Sequence, residues 1–280
     1  MKIGIVPNFT REKTLDVFNN TISYLEKYNI DYYFDRISFE HASLNIDESK
    51  IIDNVYENTD LVLVIGGDGS FIHAAKDAAV HKKSVLCINA GNLAFLAGLE
   101  GNELNLLENL ISGDFVSDKR MMLEVILKDN SGEKLLGYCL NDVVIARYGE
   151  IKLIDLDVYC NDRKINSYRG DGVVVSTPTG STAYAWSAGG PVIDPDLRCI
   201  TLTPICTHSP LNRTFVFNEF SVFTVKSSKL SQKICISTDG DKSLELNDNS
   251  EIIIKKSDYY AEFIRIKSDE FFDILNKKLT

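Results

Sequence analysis

The sequence predicts an open α/β domain followed by an antiparallel β-sandwich domain. In the first third of the chain, short apolar runs such as residues 61–65 alternate with stretches of helical periodicity, the pattern of an α/β layer. Across residues 120–256, many short strand-like runs are separated by Asn, Asp, Gly and Ser, which favours antiparallel strands. With 280 residues, the chain is long enough to form two hydrophobic cores.

The elements of the first part are predicted in order from the N-terminus. Leu15, Phe18, Ile22 and Leu25 recur at helical spacing, with Glu12 in the first turn. The predicted strands are residues 2–7, 31–37, 61–65 and 85–88, and the predicted helices are residues 10–29, 48–57, 71–81 and 103–112.

The pattern changes near Gly113, where strand-like runs begin to dominate. The predicted strands include residues 123–127, 153–159, 173–176, 222–225, 234–236 and 252–254, and helical character is expected only around residues 181–188. At the end of the chain, Ser268 is predicted to cap a last helix. Its apolar stripe would be Phe272, Leu275 and Leu279.

Composition excludes several classes of protein. The net charge is −10 and no stretch is densely basic, so nucleic acid is not an expected partner. No apolar run reaches the roughly 18 residues that a membrane span needs, and the N-terminus lacks the apolar stretch of a signal peptide. The six cysteines form no C-x-x-C pair and no zinc spacing, which is typical of buried thiols in a reducing compartment. We therefore expect a cytoplasmic protein.

A Gly-Gly-Asp-Gly turn directly follows the apolar run at residues 61–65. Gly66, Gly67 and Gly69 would let backbone N–H groups approach a phosphate, and the N-terminus of the next helix adds its positive dipole end. A carboxylate at Asp68 would repel that phosphate unless it accepts a proton or holds a cation. An ordinary Asp-Gly turn explains the glycines equally well.

A second glycine-rich stretch covers residues 170–191. Gly180 favours a turn after a buried strand, and Ser181 is predicted to cap a short helix. The stretch supplies backbone donors, several hydroxyl groups, the ring of Tyr184 and the acid Asp171. This mixture suits a ligand of sugar and phosphate better than a hydrophobic core.

Together the two segments resemble the NAD kinase family, whose hallmarks are a GGDG turn and a TPTGSTAY-x-x-SAGGP block. The GGDG turn alone is shared with lipid kinases, whereas the longer block is specific. Five further segments match in the family's order: residues 89–96, 120–123, 141–142, 203–209 and 239–240.

The resemblance implies the architecture, the reaction and the assembly. A Rossmann-like α/β domain would comprise residues 1–117 plus 258–280, with the C-terminal helix returning to it, and residues 118–257 would form the NAD-binding β domain. The enzyme would transfer a phosphoryl group from ATP, or another donor, to the 2′-hydroxyl of the adenosine ribose of NAD, giving NADP. A divalent cation, Mg²⁺ by its chemistry, would accompany ATP. Such kinases are homo-oligomers, often tetramers.

The resemblance also assigns site residues. Asp68 would accept the proton of the 2′-hydroxyl, and Gly66, Gly67 and Gly69 would bind the donor phosphates. His73 stands where the family often carries a phosphate-binding arginine. The positions that would contact NAD are Gly69, His73, Phe95, Asn141, Asp142, Arg169, Asp171, Thr182, Ala183, Tyr184, Ser187, Cys206 and Asp241. No residue is predicted to ligate the metal.

Two alternatives stay open at the level of sequence. A lipid kinase would share the GGDG turn but not the TPTGSTAY block. A non-catalytic NAD sensor would keep the hydroxyl-rich groove and would not need Asp68. No Walker A loop and no complete G-x-G-x-x-G motif is present, so a P-loop ATPase or a Rossmann dehydrogenase fits poorly.

Overall fold

The structure, a computed structural model, describes residues 1–10, 13–36, 47–91, 94–149, 152–229, 232–267 and 271–279. These form two compact units. The first comprises residues 1–119 and 259–280, and the second comprises residues 120–258.

The first unit alternates strands and helices from its N-terminus. Its elements are β1 (Lys2–Pro7), α1 (Thr14–Lys27), β2 (Asp31–Asp35), β3 (Ile51–Ile52), α2 (Val55–Asn58), β4 (Leu61–Gly66), α3 (Asp68–Val80), β5 (Ser84–Asn89), β6 (Leu99–Glu100) and α4 (Leu107–Ser112).

Strands dominate the rest of the chain. They are β7 (Val116–Asp129), β8 (Gly132–Cys139), β9 (Asp142–Arg147), β10 (Ile154–Cys160), β11 (Arg163–Gly170), β12 (Gly172–Ser176), β13 (Cys199–Ile205), β14 (Phe215–Asn218), β15 (Phe223–Ser227), β16 (Ile234–Thr238), β17 (Leu244–Leu246) and β18 (Glu251–Arg265). Helix α5 (Tyr184–Ser187) lies between β12 and β13, and helix α6 (Phe271–Leu279) ends the chain.

Strands β1 to β6 of the first unit are parallel. Strand β1 pairs with β2 and β4, β4 pairs with β5, and residues 262–263 of β18 pair with β5. The carboxyl ends of parallel strands meet at one edge, which is where open α/β sheets bind ligands. Here that edge carries Asn8, Gly66 and Ala90, which are joined by backbone bonds from Asn8 to Ile65 and from Ala90 to Gly66.

Helix α1 covers the core of the first unit with its apolar face. Phe18 and Leu25 are buried against Ile3, Ile5 and the neighbouring strands. Leu15, which was predicted to belong to the same stripe, is instead 42% exposed. Glu12 lies outside the described residues.

The prediction of a helix over residues 48–57 is wrong. Residues 48–50 form a 3₁₀ turn, β3 then pairs with the end of β2, and α2 begins only at Val55. Asn54 caps α2 by accepting hydrogen bonds from the N–H groups of Tyr56 and Glu57. Pairing of two β-branched isoleucines with a neighbouring strand has overridden helix propensity.

The second unit is antiparallel throughout its described strand pairs. One sheet has the order β14-β13-β12-β9-β16-β17. A second set runs β11-β10-β15-β18, and β7 forms a hairpin with β8. The predicted fold class is confirmed, including the return of the C-terminal segment to the first unit.

Two predictions about helix ends have different outcomes. Ser181 does not cap a helix, because its side chain hydroxyl bonds the backbone of Ile193 and residues 179–182 form a 3₁₀ turn before α5. The predicted cap Ser268 lies outside the described residues, as do the two acids that follow it. In α6, Phe272 is 56% exposed and does not contribute to a buried stripe.

Candidate active site

The GGDG turn joins β4 to α3 at the carboxyl edge of the parallel sheet. Gly66 ends the strand, Gly67 is the N-cap, and Asp68 is the first residue of a helix of 13 residues. The sequence predicts a helix that begins at residue 71, whereas the structure begins it three residues earlier. Because the first N–H groups of a helix lack intrahelical partners, the earlier start adds donors directly at the turn.

The carboxylate of Asp68 is anchored to the loop that follows β5. Its Oδ2 accepts a hydrogen bond from the backbone N–H of Phe95 at 2.8 Å, and its Oδ1 accepts one from Leu96 at 2.9 Å. Each carboxylate oxygen has further acceptor capacity, so a ligand hydroxyl can also donate to this group. Asp68 therefore positions Phe95 and still offers a proton acceptor.

The absence of a Cβ atom has a different consequence at each glycine of the turn. A Cβ at Gly66 would lie 3.0 Å from Cβ and Oγ of Ser70, whose hydroxyl accepts a hydrogen bond from Asn8 Nδ2 at 2.6 Å. A Cβ at Gly69 would have no neighbour within 4 Å. Gly69 thus leaves open space at the N-terminus of α3, where an anion is favoured. His73 is exposed one turn after Gly69 on the same helix face.

In the second unit, the TPTGSTAY block packs on the segment that leads into β9. The N–H of Thr177 donates to the Asn141 carbonyl at 2.9 Å, and its hydroxyl donates to the Leu140 carbonyl at 2.6 Å. The N–H of Gly180 donates a hydrogen bond to the Thr177 hydroxyl at 3.1 Å. The backbone N–H of Tyr184 donates to Asp142 Oδ2 at 3.2 Å. The structure thus brings these predicted residues together.

The side chains of the block face different surroundings. Tyr184 is 47% exposed and Ser187 is also exposed, whereas Thr182 and Ala183 are half-buried. Asn141 Oδ1 is buried and has no hydrogen-bond partner among the described residues. A buried acceptor without a partner costs free energy, so this atom suits a ligand that donates a hydrogen bond.

Asp239 organises the same segment, although the sequence had not assigned it to the site. Its Oδ1 accepts from the N–H groups of Asn141 at 2.7 Å and Asp142 at 3.2 Å, and its Oδ2 accepts from Leu140 at 2.8 Å. The Cys139 thiol lies 3.0 Å from Oδ1. Asp239 therefore holds the backbone of residues 140–142 in place at the start of β9.

A tight turn between β16 and β17 presents Asp239. Its φ is 49° and that of Gly240 is 77°, and the N–H of Asp241 closes the turn on the Thr238 carbonyl at 2.9 Å. Positive φ at both central positions is the geometry of a type I′ hairpin turn, which favours Asp-Gly. Asp241, a predicted NAD contact, is half-buried in this turn, and its carbonyl accepts from the Ser237 hydroxyl.

Burial and the neighbouring charge perturb Asp142. Its side chain is buried in the second unit, and desolvation together with the Asp239 carboxylate raises the pKa of Asp142 to about 7. The hydrogen bond from the Tyr184 N–H acts in the opposite direction. Asp142 therefore titrates in the neutral range.

The other predicted contacts of this unit lie at the opposite end of β12. Ser176 pairs with Asp142 at one end of the strand, and Gly172 pairs with Ile205 at the other, about 14 Å away over four residue steps. Asp171 accepts from Arg147 Nε at 2.9 Å. Exposed residues Arg169 and Cys206 belong to the same end. Within this unit, they are not brought to Asp142.

Two family models match the chain. Residues 3–115 match the ATP-NAD kinase N-terminal domain, and residues 140–266 match the ATP-NAD kinase C-terminal domain. The chain belongs to the NAD kinase family.

Curated relatives extend this match over the full chain. The NAD kinase of Caldanaerobacter subterraneus subsp. tengcongensis is 34% identical over 280 residues, covering 100% of this chain and 99% of the relative. The NAD kinase of Thermoanaerobacter sp. is 34% identical over 281 residues, with the same coverage. The predicted family is confirmed, and the lipid-kinase alternative has no support from these relatives.

Solved NAD kinase structures share the fold. The crystal structure of yeast NADH kinase complexed with NADH superposes with a TM-score of 0.89 at 24% identity, covering 100% of this chain and 87% of that chain. An NAD kinase from Archaeoglobus fulgidus, in complex with ATP, gives a TM-score of 0.76 at 22% identity, covering 100% and 98%.

The described part of the chain shows neither a metal cluster nor a membrane-spanning helix. No group of three or more His, Cys, Asp and Glu side chains in these ranges is arranged to hold a metal ion. No helix in the same part of the chain is long and apolar enough to cross a membrane.

Proposed function

We propose that this NAD kinase transfers the terminal phosphoryl group of ATP to the 2′-hydroxyl of the adenosine ribose of NAD. The observation that carries the proposal is the position of Asp68, a carboxylate at the first residue of α3 between two glycines of a phosphate-type turn. Full-length relatives named NAD kinase support the same reaction, and ATP and NADH are the ligands named for the two solved neighbours.

The reaction needs positioning and charge stabilisation more than covalent chemistry. The 2′-oxygen bonds to the terminal phosphorus of ATP while the bond from that phosphorus to the bridging oxygen breaks, and ADP leaves. The hydroxyl proton passes to the Asp68 carboxylate. The N–H groups at the start of α3, where a Cβ at Gly69 would have no neighbour within 4 Å, would stabilise the phosphate oxygens.

In the second unit, Asn141 and Asp142 would bind the adenosine part, since one presents an unpaired acceptor and the other a buried acid. The exposed ring of Tyr184 would pack on a ring of the ligand. We further propose Arg169 for phosphate and Asp171 for the nicotinamide ribose or amide. The remaining proposed contacts are His73, Phe95, Thr182, Ala183, Ser187, Cys206 and Asp241.

A divalent cation, Mg²⁺ by its preference for phosphate oxygens, would neutralise charge on the donor. Both oxygens of Asp68 already accept backbone hydrogen bonds, and the described residues hold no metal-binding cluster. We therefore assign no protein ligand and expect the cation to be carried by the nucleotide phosphates and water.

One incubation tests the reaction. Purified protein with Mg-ATP and NAD should form NADP, detected with an NADP-specific dehydrogenase, and omission of ATP is the control. The rival is a non-catalytic NAD sensor, favoured by one observation: the bonds from Asp68 to Phe95 and Leu96 give that acid a structural role without chemistry. Binding of NAD without NADP formation, with ATP and polyphosphate both tried, would establish the sensor.

We also propose a homo-oligomer, often a tetramer in this family, with the β domain supplying most of the interface. Exposed apolar side chains of the second unit support this, including Val216 at 54% and Phe220 at 72%. The separation of Asp171 from Asp142 along β12 also fits a site that draws on more than one copy. Light scattering that shows a catalytically active monomer would contradict it.

A cytoplasmic location is proposed from the cysteines. None of the six forms a disulfide, and Cys87, Cys139 and Cys199 are buried, as expected in a reducing compartment.

A further inference from the structure

Asp142 at the start of β9 and Asp239, which bonds to the same segment, accept different numbers of hydrogen bonds. Asp239 accepts from the N–H groups of Leu140, Asn141 and Asp142, and it also lies within hydrogen-bond distance of the Cys139 thiol. Asp142 accepts one hydrogen bond among the described residues, from the N–H of Tyr184. Hydrogen bonds from N–H groups stabilise the ionised form of a carboxyl, and Asp142 receives fewer of them than its neighbour.

Burial makes a second charge here unfavourable. Asp142 is 3% exposed, and two carboxylates that share a buried site do not both ionise readily. The neighbouring Asn141 Oδ1, buried and unpaired among the described residues, is a further oxygen without a donor. Among the described residues, this strand end therefore carries two oxygens in buried surroundings, Asn141 Oδ1 and the Asp142 carboxyl, and a proton on Asp142 would make that carboxyl a donor.

We propose that Asp239 is the positioning residue of the adenosine-binding strand end, and that Asp142 meets the dinucleotide as a neutral carboxylic acid that donates a hydrogen bond. This proposal rests on the function proposed above. Asp239 acts through the backbone of residues 140–142, whereas Asp142 faces the ligand. An adenosine offers acceptors on its ring nitrogens and ribose oxygens, and its amino and hydroxyl groups can donate to Asn141 Oδ1.

Several elements bring charged or titratable groups to the segment that carries Asp142. The charge that raises the pKa of Asp142 is that of Asp239, on the turn between β16 and β17. From the other elements come the Cys139 thiol at the end of β8, the Tyr184 phenol on α5 and the Arg120 guanidinium of β7, which bonds the glycine-rich block. A ligand that covers Asp142 removes more water and strengthens the preference for the neutral acid.

Proton uptake on binding tests the proposal in the unmodified protein. Isothermal titration of NAD at pH 7.5, in buffers of different ionisation enthalpy, should show uptake on the order of half a proton per NAD. The affinity should fall as pH rises above 7, by at most about tenfold per pH unit. Uptake indistinguishable from zero, or release of a proton, would overturn the proposal.

Substitution of Asp142 separates the neutral acid from the anion. Asp142→Asn keeps an acceptor for the Tyr184 N–H and presents NH₂ where the acid presents O–H. Its affinity for NAD at pH 6.5 should stay within about threefold of the parent, without a fall above pH 7 and without proton uptake. A folded Asp142→Asn protein that no longer binds NAD would show that the anion is required.

Asp239→Asn tests the positioning role, because an amide cannot accept from all three N–H groups without turning its own NH₂ toward one of them. We expect the KM for NAD to rise by about tenfold or more with a smaller change in kcat, and proton uptake at pH 7.5 to change, because the Asp239 charge no longer raises the pKa of Asp142. Asp162→Asn is the control, since Asp162 is exposed and also has positive φ in a turn of the second unit.

The possible negative results distinguish failure of this inference from failure of the proposed function. An Asp239→Asn protein with the parental KM and proton uptake would overturn the positioning role. A parent protein that makes NADP but takes up no proton would overturn this inference and leave the kinase intact. A parent protein that does not bind NAD would overturn both.

Discussion

A Cβ atom added at Gly180 would lie 2.1 Å from the carbonyl oxygen of Asn141. This is far inside van der Waals contact, and the neighbouring atom is backbone, which cannot rotate away. Gly180 is therefore required by the close approach of the TPTGSTAY block to the segment that carries Asn141 and Asp142.

Gly180→Ala should destabilise the protein and weaken NAD binding together. Forcing extra atoms into a packed site costs about 1–3 kcal/mol, and the displaced segment carries the proposed adenosine contacts. Chemical unfolding and NAD titration measure the two effects. Gly69→Ala is the matched control for stability, since a Cβ there has no neighbour within 4 Å. Equal unfolding free energies for Gly180→Ala and the parent would contradict the packing argument.

Tyr184→Ala should weaken NAD binding by about 1–3 kcal/mol, the range for stacking of a base on an aromatic ring. Because 47% of Tyr184 is exposed, stability should change less than the roughly 3–5 kcal/mol expected for a core aromatic. Trp186→Ala is the control, as Trp186 is 44% exposed on the same short helix and has no proposed ligand contact. Unchanged affinity in Tyr184→Ala would show that the ring does not stack on NAD.

The secondary-structure elements that depend on nearby residues could be predicted from local sequence patterns. The apolar run before Gly66 and the alternation of strands and helices gave the parallel sheet, and short strands with turn residues gave the antiparallel domain. The helix over residues 48–57 failed because Ile51 and Ile52 pair with β2, a contact that propensity cannot report.

Long-range contacts also explain why the role of Asp239 in the site could not be predicted from the sequence. Asp239 binds the N–H of Asn141 across 98 residues of sequence, and no spacing rule connects the two. The available signal was the Asp-Gly turn after a strand, which indicates a hairpin but not what its carboxylate faces. The bonds from Asp68 to Phe95 and Leu96 are likewise tertiary contacts.

Asp68→Asn should reduce turnover by about 10²–10⁴, the usual effect of losing a general base, while NAD affinity changes only a few-fold. The substitution is nearly isosteric, but its NH₂ would face one of the N–H groups of Phe95 or Leu96, so a loss of about 1–3 kcal/mol in stability is also expected. Single-turnover kinetics and NAD titration separate these effects. NADP formation at close to the parent rate would exclude Asp68 as the base.

The raised pKa of Asp142 predicts how stability depends on pH. Its value is about 7 in the folded protein against 3.8 for the ordinary group, so between these values the folded chain holds a proton that the unfolded chain lacks. The contribution is fully present below about pH 4 and is lost as pH rises through 7.

Between pH 6 and 7.5, the unfolding free energy of the parent should therefore fall by about 1 kcal/mol more than that of Asp142→Asn, which cannot ionise at this position. Denaturant unfolding of both proteins at pH 6, 6.5, 7, 7.5 and 8 gives the comparison, and other titrating groups cancel in the difference. A constant difference across this range would mean that Asp142 is already ionised at pH 6. The buried Asp142 would then carry a charge beside Asp239.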